Sequence, residues 1–203
     1  MTPTPDTPRS CTSGPDISAN TGDSRAETAR SREVGGGGSG WLAEGRWPEA
    51  GDGAPPALPG FVYSPFAALV AAVADRCLAR GYGARPAPAG TTRAVVLVSA
   101  AGDRPSAVHV RATVAAGGRV GPLFFFQSVP NSVAGHVAAR WGLDGPVVCL
   151  SPTGDPRADG LAQADLLLYD GDADEALLVL MEEAPDGTPT GAVAVLLGGG
   201  TRQ

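Results

Sequence analysis

The sequence predicts an α/β domain: a mixed, mostly parallel sheet covered by helices and ending in an antiparallel hairpin. Three observations lead there. Runs of consecutive apolar residues recur as RAVVLVS from Arg93, PVVCL from Pro146 and ALLVLM from Ala176, the composition of strands buried on both faces. Segments with helical periodicity alternate with these runs, which calls for crossover connections and a sheet that is parallel in its middle. After ALLVLM the loop APDGTPTG carries an Asp-Gly turn signal, and the chain returns as Ala192 to Leu197, the pattern of a hairpin.

Each element has its own grounds. Trp41 to Trp47 reads as a short edge strand, and its two Trp suggest that this segment docks on the domain. Phe66 to Arg80 is a helix, because Leu69, Val73 and Cys77 recur at four-residue spacing and Gly81 follows as a stop. Arg93 to Ser99 is a strand, Ala100 to Asp103 a turn and Pro105 to Ala115 a weaker helix. Leu123 to Phe126 reads as a short buried element. Ser128 is the expected N-cap of the next helix, with Pro130 in its first turn. Val129, Val133, Val137 and Trp141 line one face of that helix, and Gly142 ends it. Pro146 to Leu150 is a second buried strand, Arg157 to Tyr169 a helix, and Ala176 to Met181 a third strand.

Composition limits what the chain can do. Of the first 60 residues only 15 are apolar, against 43% over the whole chain. That is too little to offset the entropy of ordering them. Residues 1–40, closing on Gly35 to Gly40, are expected to be a disordered Pro/Gly/Ser-rich tail, 41–198 the domain, and 199–203 a short tail. All 15 basic residues are Arg, and the net charge of −6 leaves no basic stripe for a phosphate backbone. Nucleic acid is not an expected partner. The N-terminus has no apolar core of a secretory signal, and no apolar run approaches the roughly 20 residues of a membrane span. Cys11, Cys77 and Cys149 show no C-x-x-C spacing, which suits a reducing cytoplasm. No metal or cofactor is expected. The acidic group Asp170, Asp172, Asp174 and Glu175 lacks the Gly and terminal Glu of a calcium loop and reads as a solvated turn. Glu182 and Glu183 are expected to face solvent.

The order of these features is informative in itself. A buried strand ends at Ser99 and is followed by Gly102-Asp103 and a helix. Then come Pro122 to Phe126, Ser128-Val129-Pro130-Asn131, Ala134-Gly135, Gly145-Pro146 opening a strand, another helix and ALLVLM. From Trp41 to Leu197 this resembles the N-terminal half of β-ketoacyl synthases, the condensing enzymes of fatty-acid and polyketide assembly, which have a thiolase-like fold. It is most similar to short divergent synthase-like proteins, some labelled coronafacic acid synthetase components.

The resemblance implies half of a thiolase-like fold and a definite place for chemistry. In a condensing enzyme a Cys at a sharp strand-to-helix turn takes an acyl group from a carrier protein. The helix end and nearby His favour its thiolate, and backbone N–H groups form an oxyanion hole. That Cys falls nine residues after Gly145, where this chain has Gly154. Cys149 lies five residues too early, inside a strand. Ser151 sits at the strand end with no base placed beside it by any motif. Asp155 puts negative charge where a thiolate is wanted.

A complete enzyme is also a duplicated fold about twice as long, with two catalytic His and usually a Lys in its second half. The only His here are His109 and His136, and there is no Lys. His109 reads as a surface or half-buried residue rather than a base. The expectation is therefore a non-catalytic synthase-like subunit, pairing with a β-ketoacyl synthase or with itself and meeting an acyl carrier protein. Its partner or pocket residues would be Phe124, Phe126, Asn131, His136 and Trp141, with Asn131 capping a helix start or fixing a loop. The alternative is an acyltransferase or condensing subunit, using Ser151 or Cys149, whose active site another chain completes.

Overall fold

The structure, a computed structural model, describes residues 40–199. The tail expected over residues 1–40 lies outside them as far as Ser39, and Gly40 already belongs to the first strand. Elements follow as β1 (Gly40–Trp47), α1 (Pro65–Tyr82), β2 (Arg93–Val98), α2 (Arg104–Ala115) and α3 (Pro122–Ser128). Then come α4 (Pro130–Trp141), β3 (Val147–Leu150), α5 (Pro156–Asp170), β4 (Glu175–Glu183) and β5 (Pro189–Gly198). The sheet has the order β1-β5-β4-β2-β3. β2 is parallel to β3 and β4, while β5 is antiparallel to β4 and β1. Four strands therefore run one way and β5 alone opposes them. The hairpin β4–β5 is inside the sheet, with β1 closing the edge beyond it.

The apolar runs become strands with two buried faces. Leu177, Val179 and Met181 of β4 face a core shared with α1 and α4, together with Phe66, Leu69, Val95, Leu97 and Leu196. The alternate residues Leu178 and Leu180 meet Val96, Val98, Val195 and the α5 residues Ala164, Leu167 and Leu168. Gly160 lets α5 lie flush on the sheet: a Cβ there would come within 2.8 Å of Leu178 and 2.9 Å of Val98. At the start of α1, Ser64 Oγ accepts from the Phe66 N–H at 3.1 Å. The helix passes the expected stop at Gly81 and ends at Gly83, whose φ of 81° suits a residue without Cβ.

Three sequence expectations need correction. PVVCL is not buried on both faces. β3 is the sheet edge, paired only with β2, and Val147 is exposed. A run of apolar residues shows that a strand exists, but neighbouring strands decide how deep it lies. Leu123 to Phe126 is not a buried element either. It forms the short helix α3, which buries Phe124 alone and leaves Leu123, Phe125 and Phe126 exposed. Ser128 does not cap α4: it ends α3, its Oγ donates to Phe125 O, and Val129 takes the cap position without a side-chain bond. The neighbouring α2 buries only Ser106. No helix among the described residues is long and apolar enough to cross a membrane.

Candidate functional site

In an open α/β sheet, ligands gather at the C-terminal ends of the parallel strands. Here the ends of β2 and β3 and the start of α4 enclose a groove of about 290 Å³. Leu97, Ser99, Asn131, Cys149 and Ser151 are among its lining residues. Ser99 is itself held in place. Its Oγ donates to a Glu183 carboxylate oxygen and accepts from Gly102 N–H at 2.8 Å. The other Glu183 oxygen accepts from Ala101 N–H at 3.0 Å. Glu183 therefore does not simply face solvent as expected; it braces the β2–α2 turn from the end of β4. Glu182 pairs with Arg46 at 2.7 Å.

Cys149 and Ser151 both reach the groove, but neither is equipped as a nucleophile. Burial pushes the Cys149 thiol up to about 11, and no cation offsets it. At neutral pH it is a neutral thiol, not the thiolate that attacks. The hydroxyl of Ser151 is exposed and has no hydrogen-bonded base among the described residues.

The loop from Ser151 to Asp155 contains Gly154, at the place where the family resemblance puts the nucleophile. Gly154 is exposed, and a Cβ there would meet nothing within 4 Å. Packing does not force glycine at this position. Asp155 caps α5, its Oδ1 accepting from Arg157 N–H at 2.9 Å. The decisive neighbour is Asp159, which sequence reasoning missed. Its Oδ2 accepts from Thr153 N–H at 2.6 Å, Gly154 N–H at 3.2 Å and Thr153 Oγ1 at 3.3 Å. Hydrogen bonds from these two backbone N–H groups, foremost among the causes, hold its carboxyl below the usual range. An ionised carboxylate thus occupies the main-chain donors beside the expected nucleophile position. A carboxylate one turn into α5, following a Thr-Gly loop, was the available sequence signal.

The other expected site residues do not converge. Phe124 is buried and packs edge-on to Tyr63 at 4.6 Å, with His109 at 5.1 Å. His109 is exposed and stacks on Tyr63. Phe126 points to solvent. Asn131 lines the groove, is exposed, and its amide caps nothing among the described residues. His136 is half-buried, edge-on to Phe61, and its Nε2 has no hydrogen-bond partner among the described residues. Trp141 is a core residue rather than a partner surface. It is 2% exposed and its Nε1 donates to Asp75 Oδ1 at 2.6 Å.

The acidic turn at the opposite ends of the strands is also more than solvated. Asp174 accepts from Thr92 N–H, and Glu175 pairs at 2.7 Å with the buried Arg93 while accepting from Tyr82 Oη. Arg93 further donates to the Pro88 and Thr91 carbonyls. Burial, first among the causes, together with the Glu175 carboxylate, raises the Tyr82 phenol well above its ordinary value, so the hydroxyl stays protonated and can donate. Among the described residues no three His, Cys, Asp or Glu side chains converge as a metal site.

Comparison with known proteins agrees with this architecture. A ketosynthase in complex with its chain length factor, from Xenorhabdus doucetiae, superposes with a TM-score of 0.57 at 20% identity, over 73% of this chain and 64% of that one. The ishigamide ketosynthase/chain length factor gives a TM-score of 0.60 at 18% identity, over 73% of this chain and 48% of that one. An oxazolomycin ketosynthase domain from Streptomyces albus JA3453 gives 0.52 at 18% identity, over 67% and 27%. The chain thus spans less than two thirds of the length of each of these. No curated protein matches the sequence. Residues 64–188, more than half of the chain, match the sequence profile described as beta-ketoacyl synthase, N-terminal domain. The chain is a member of the β-ketoacyl synthase N-terminal domain family and has its thiolase-like fold.

Proposed function

We propose that this chain is a non-catalytic, synthase-like accessory subunit that works beside a ketosynthase in fatty-acid or polyketide-type biosynthesis, in the cytoplasm. The observation that carries this reading is the loop before α5. Gly154 stands at the expected nucleophile position, and Asp159 holds the Thr153 and Gly154 N–H groups. A glycine cannot be acylated, and an anion already sits where the oxyanion needs donors. The neutral Cys149 thiol supports the same reading.

Two surfaces support a partner. β3 is an edge strand with one neighbour, and such edges invite pairing with another chain. On α5, Leu166 and Tyr169 are exposed on the side away from the sheet, the kind of apolar surface that association covers. The partner is a ketosynthase or a second copy, and an acyl carrier protein delivers acyl groups to the assembly rather than to this chain.

The test is reconstitution with a ketosynthase and an acyl carrier protein. Product formation should depend on the presence of this chain yet be unchanged when Cys149→Ala and Ser151→Ala are combined. Loss of product in the double variant, with the complex still assembled, would assign the chain a nucleophile and overturn the reading.

A further inference from the structure

The two edges of the sheet differ in how their main chain is covered. At β3 no side chain among the described residues is bonded to the strand's main chain. At β1, the other edge, two are. The Arg46 carbonyl accepts from Arg76 Nη1 at 2.6 Å, and the Glu44 carbonyl accepts from Arg80 Nη1 at 3.0 Å. Two residues apart, these carbonyls point to the same side of the strand. That side is the free one. From Ala43 to Trp47 the pairing with Leu196 to Ala192 of β5 is uninterrupted and leaves no room for a guanidinium.

The two arginines are themselves held. Four residues apart, they share one face of α1. Asp52 takes both Nη atoms of Arg76, at 2.7 and 3.0 Å, and Glu49 takes both of Arg80, at 2.9 Å each. Forked pairs of this kind fix direction as well as charge. They hold the Asp52 and Glu49 carboxyls below the usual carboxylate range. Glu49 N–H also donates to Asp52 Oδ2 at 2.7 Å, and Asp52 N–H to Glu49 O at 3.0 Å, which closes the turn. The Arg76 guanidinium lies 4.3 Å from the centre of the Trp47 ring. The loop that follows β1 thus turns back and clamps two cations of α1 over the edge it has just left.

An open strand edge is a template for another strand, and this one suits its own copy. Antiparallel pairing of two β1 strands about Gly45 sets Glu44 of each opposite Arg46 of the other, and Ala43 opposite Trp47. Opposite charges at facing positions favour that register, and one patch serves both copies of a twofold pair. Arg76 and Arg80 occupy the carbonyls that such a pair needs. We propose that the Arg76–Asp52 and Arg80–Glu49 clamp is a guard that masks the β1 edge, and that opening it turns β1 into a strand-addition site for a second copy of this chain. The inference is independent of the accessory role, which concerns β3 and α5.

Sedimentation velocity of the full chain under reducing conditions tests it. Glu49→Gln combined with Asp52→Asn releases both arginines, and Arg76→Gln combined with Arg80→Gln removes them. Circular dichroism identifies the variants that stay folded, and the carboxylate pair decides where the arginine pair does not fold. Self-association about tenfold or more tighter than wild type is expected in the opened variants. Adding Glu44→Pro should return it to the wild-type value, because it removes an N–H on the free side and spares the ladder to β5. Unchanged association in a folded, opened variant overturns the proposal. So does an increase that Glu44→Pro leaves in place, which puts the contact elsewhere. Wild-type association that Glu44→Pro abolishes would mean that the edge is not masked. Failure of both pairs to fold would make the clamp part of the folding core, and each of these results contradicts a guard.

Discussion

The two ends of the sheet are built to different standards. At β4–β5, flanked by β2 and β1, nearly every side chain is enclosed between α1 on one face and α5 on the other. The edge strand β3 is only half-buried, and the helices α2 and α3 bury one residue each. The first region has what a domain needs to fold. The second leaves apolar surface and main-chain groups uncovered, and it adjoins the groove where the family's chemistry would be sought. Covered and uncovered apolar surface have separated along the sheet.

The contrast can be broken at its strong end first. Leu177→Ala, in a fully buried β4 position, should cost about 3 kcal/mol in urea unfolding, the range for a buried Leu truncation. Next, Arg93→Met removes the cation from the Glu175 pair. A loss of about 2 kcal/mol is expected, below the range for a sealed pair because Glu175 still reaches water. A value near zero would mean that this cluster is not part of the folding core.

A third effect is smaller and depends on pH. Burial raises the Cys149 thiol to about 11 and the Cys77 thiol to about 12. The folded state therefore prefers both protonated, so their contribution is complete below the unfolded value near 9 and fades as pH rises through the folded values. Melting temperature should fall across that alkaline window, and less steeply in Cys149→Ala. A matching test is alkylation by iodoacetamide at pH 7.5, which should be much slower for folded Cys149 than for the unfolded chain. At the weak end, Phe125→Ser should change stability by no more than about 0.5 kcal/mol, since its ring is largely in water. A large loss there would erase the distinction between the two regions.

The strong region was legible in the sequence and the weak one was not, for one physical reason. Consecutive apolar residues such as ALLVLM require two covered faces wherever they lie, so β2, β4, β5 and the hairpin follow from pattern alone. PVVCL carries the same pattern, yet its depth is set by a neighbour on one side only, which no local signal encodes. The PLFFF stretch misleads in the same way. Its aromatic residues read as core, but a helix of seven residues with one inward face can bury only one of them. Gly154 could be placed by counting from Gly145, whereas Asp159, Glu183 and Glu175 act through backbone or side-chain groups far away in sequence or around a turn. Their partners become visible only when the chain is folded.

The central claim, that this chain carries no acyl group, has a direct test in intact mass spectrometry after incubation with acyl-loaded carrier protein and with a small acyl thioester. Wild-type protein should keep its mass in both. A stoichiometric acyl adduct that disappears in Ser151→Ala or Cys149→Ala would contradict the account and make the chain an acyltransferase.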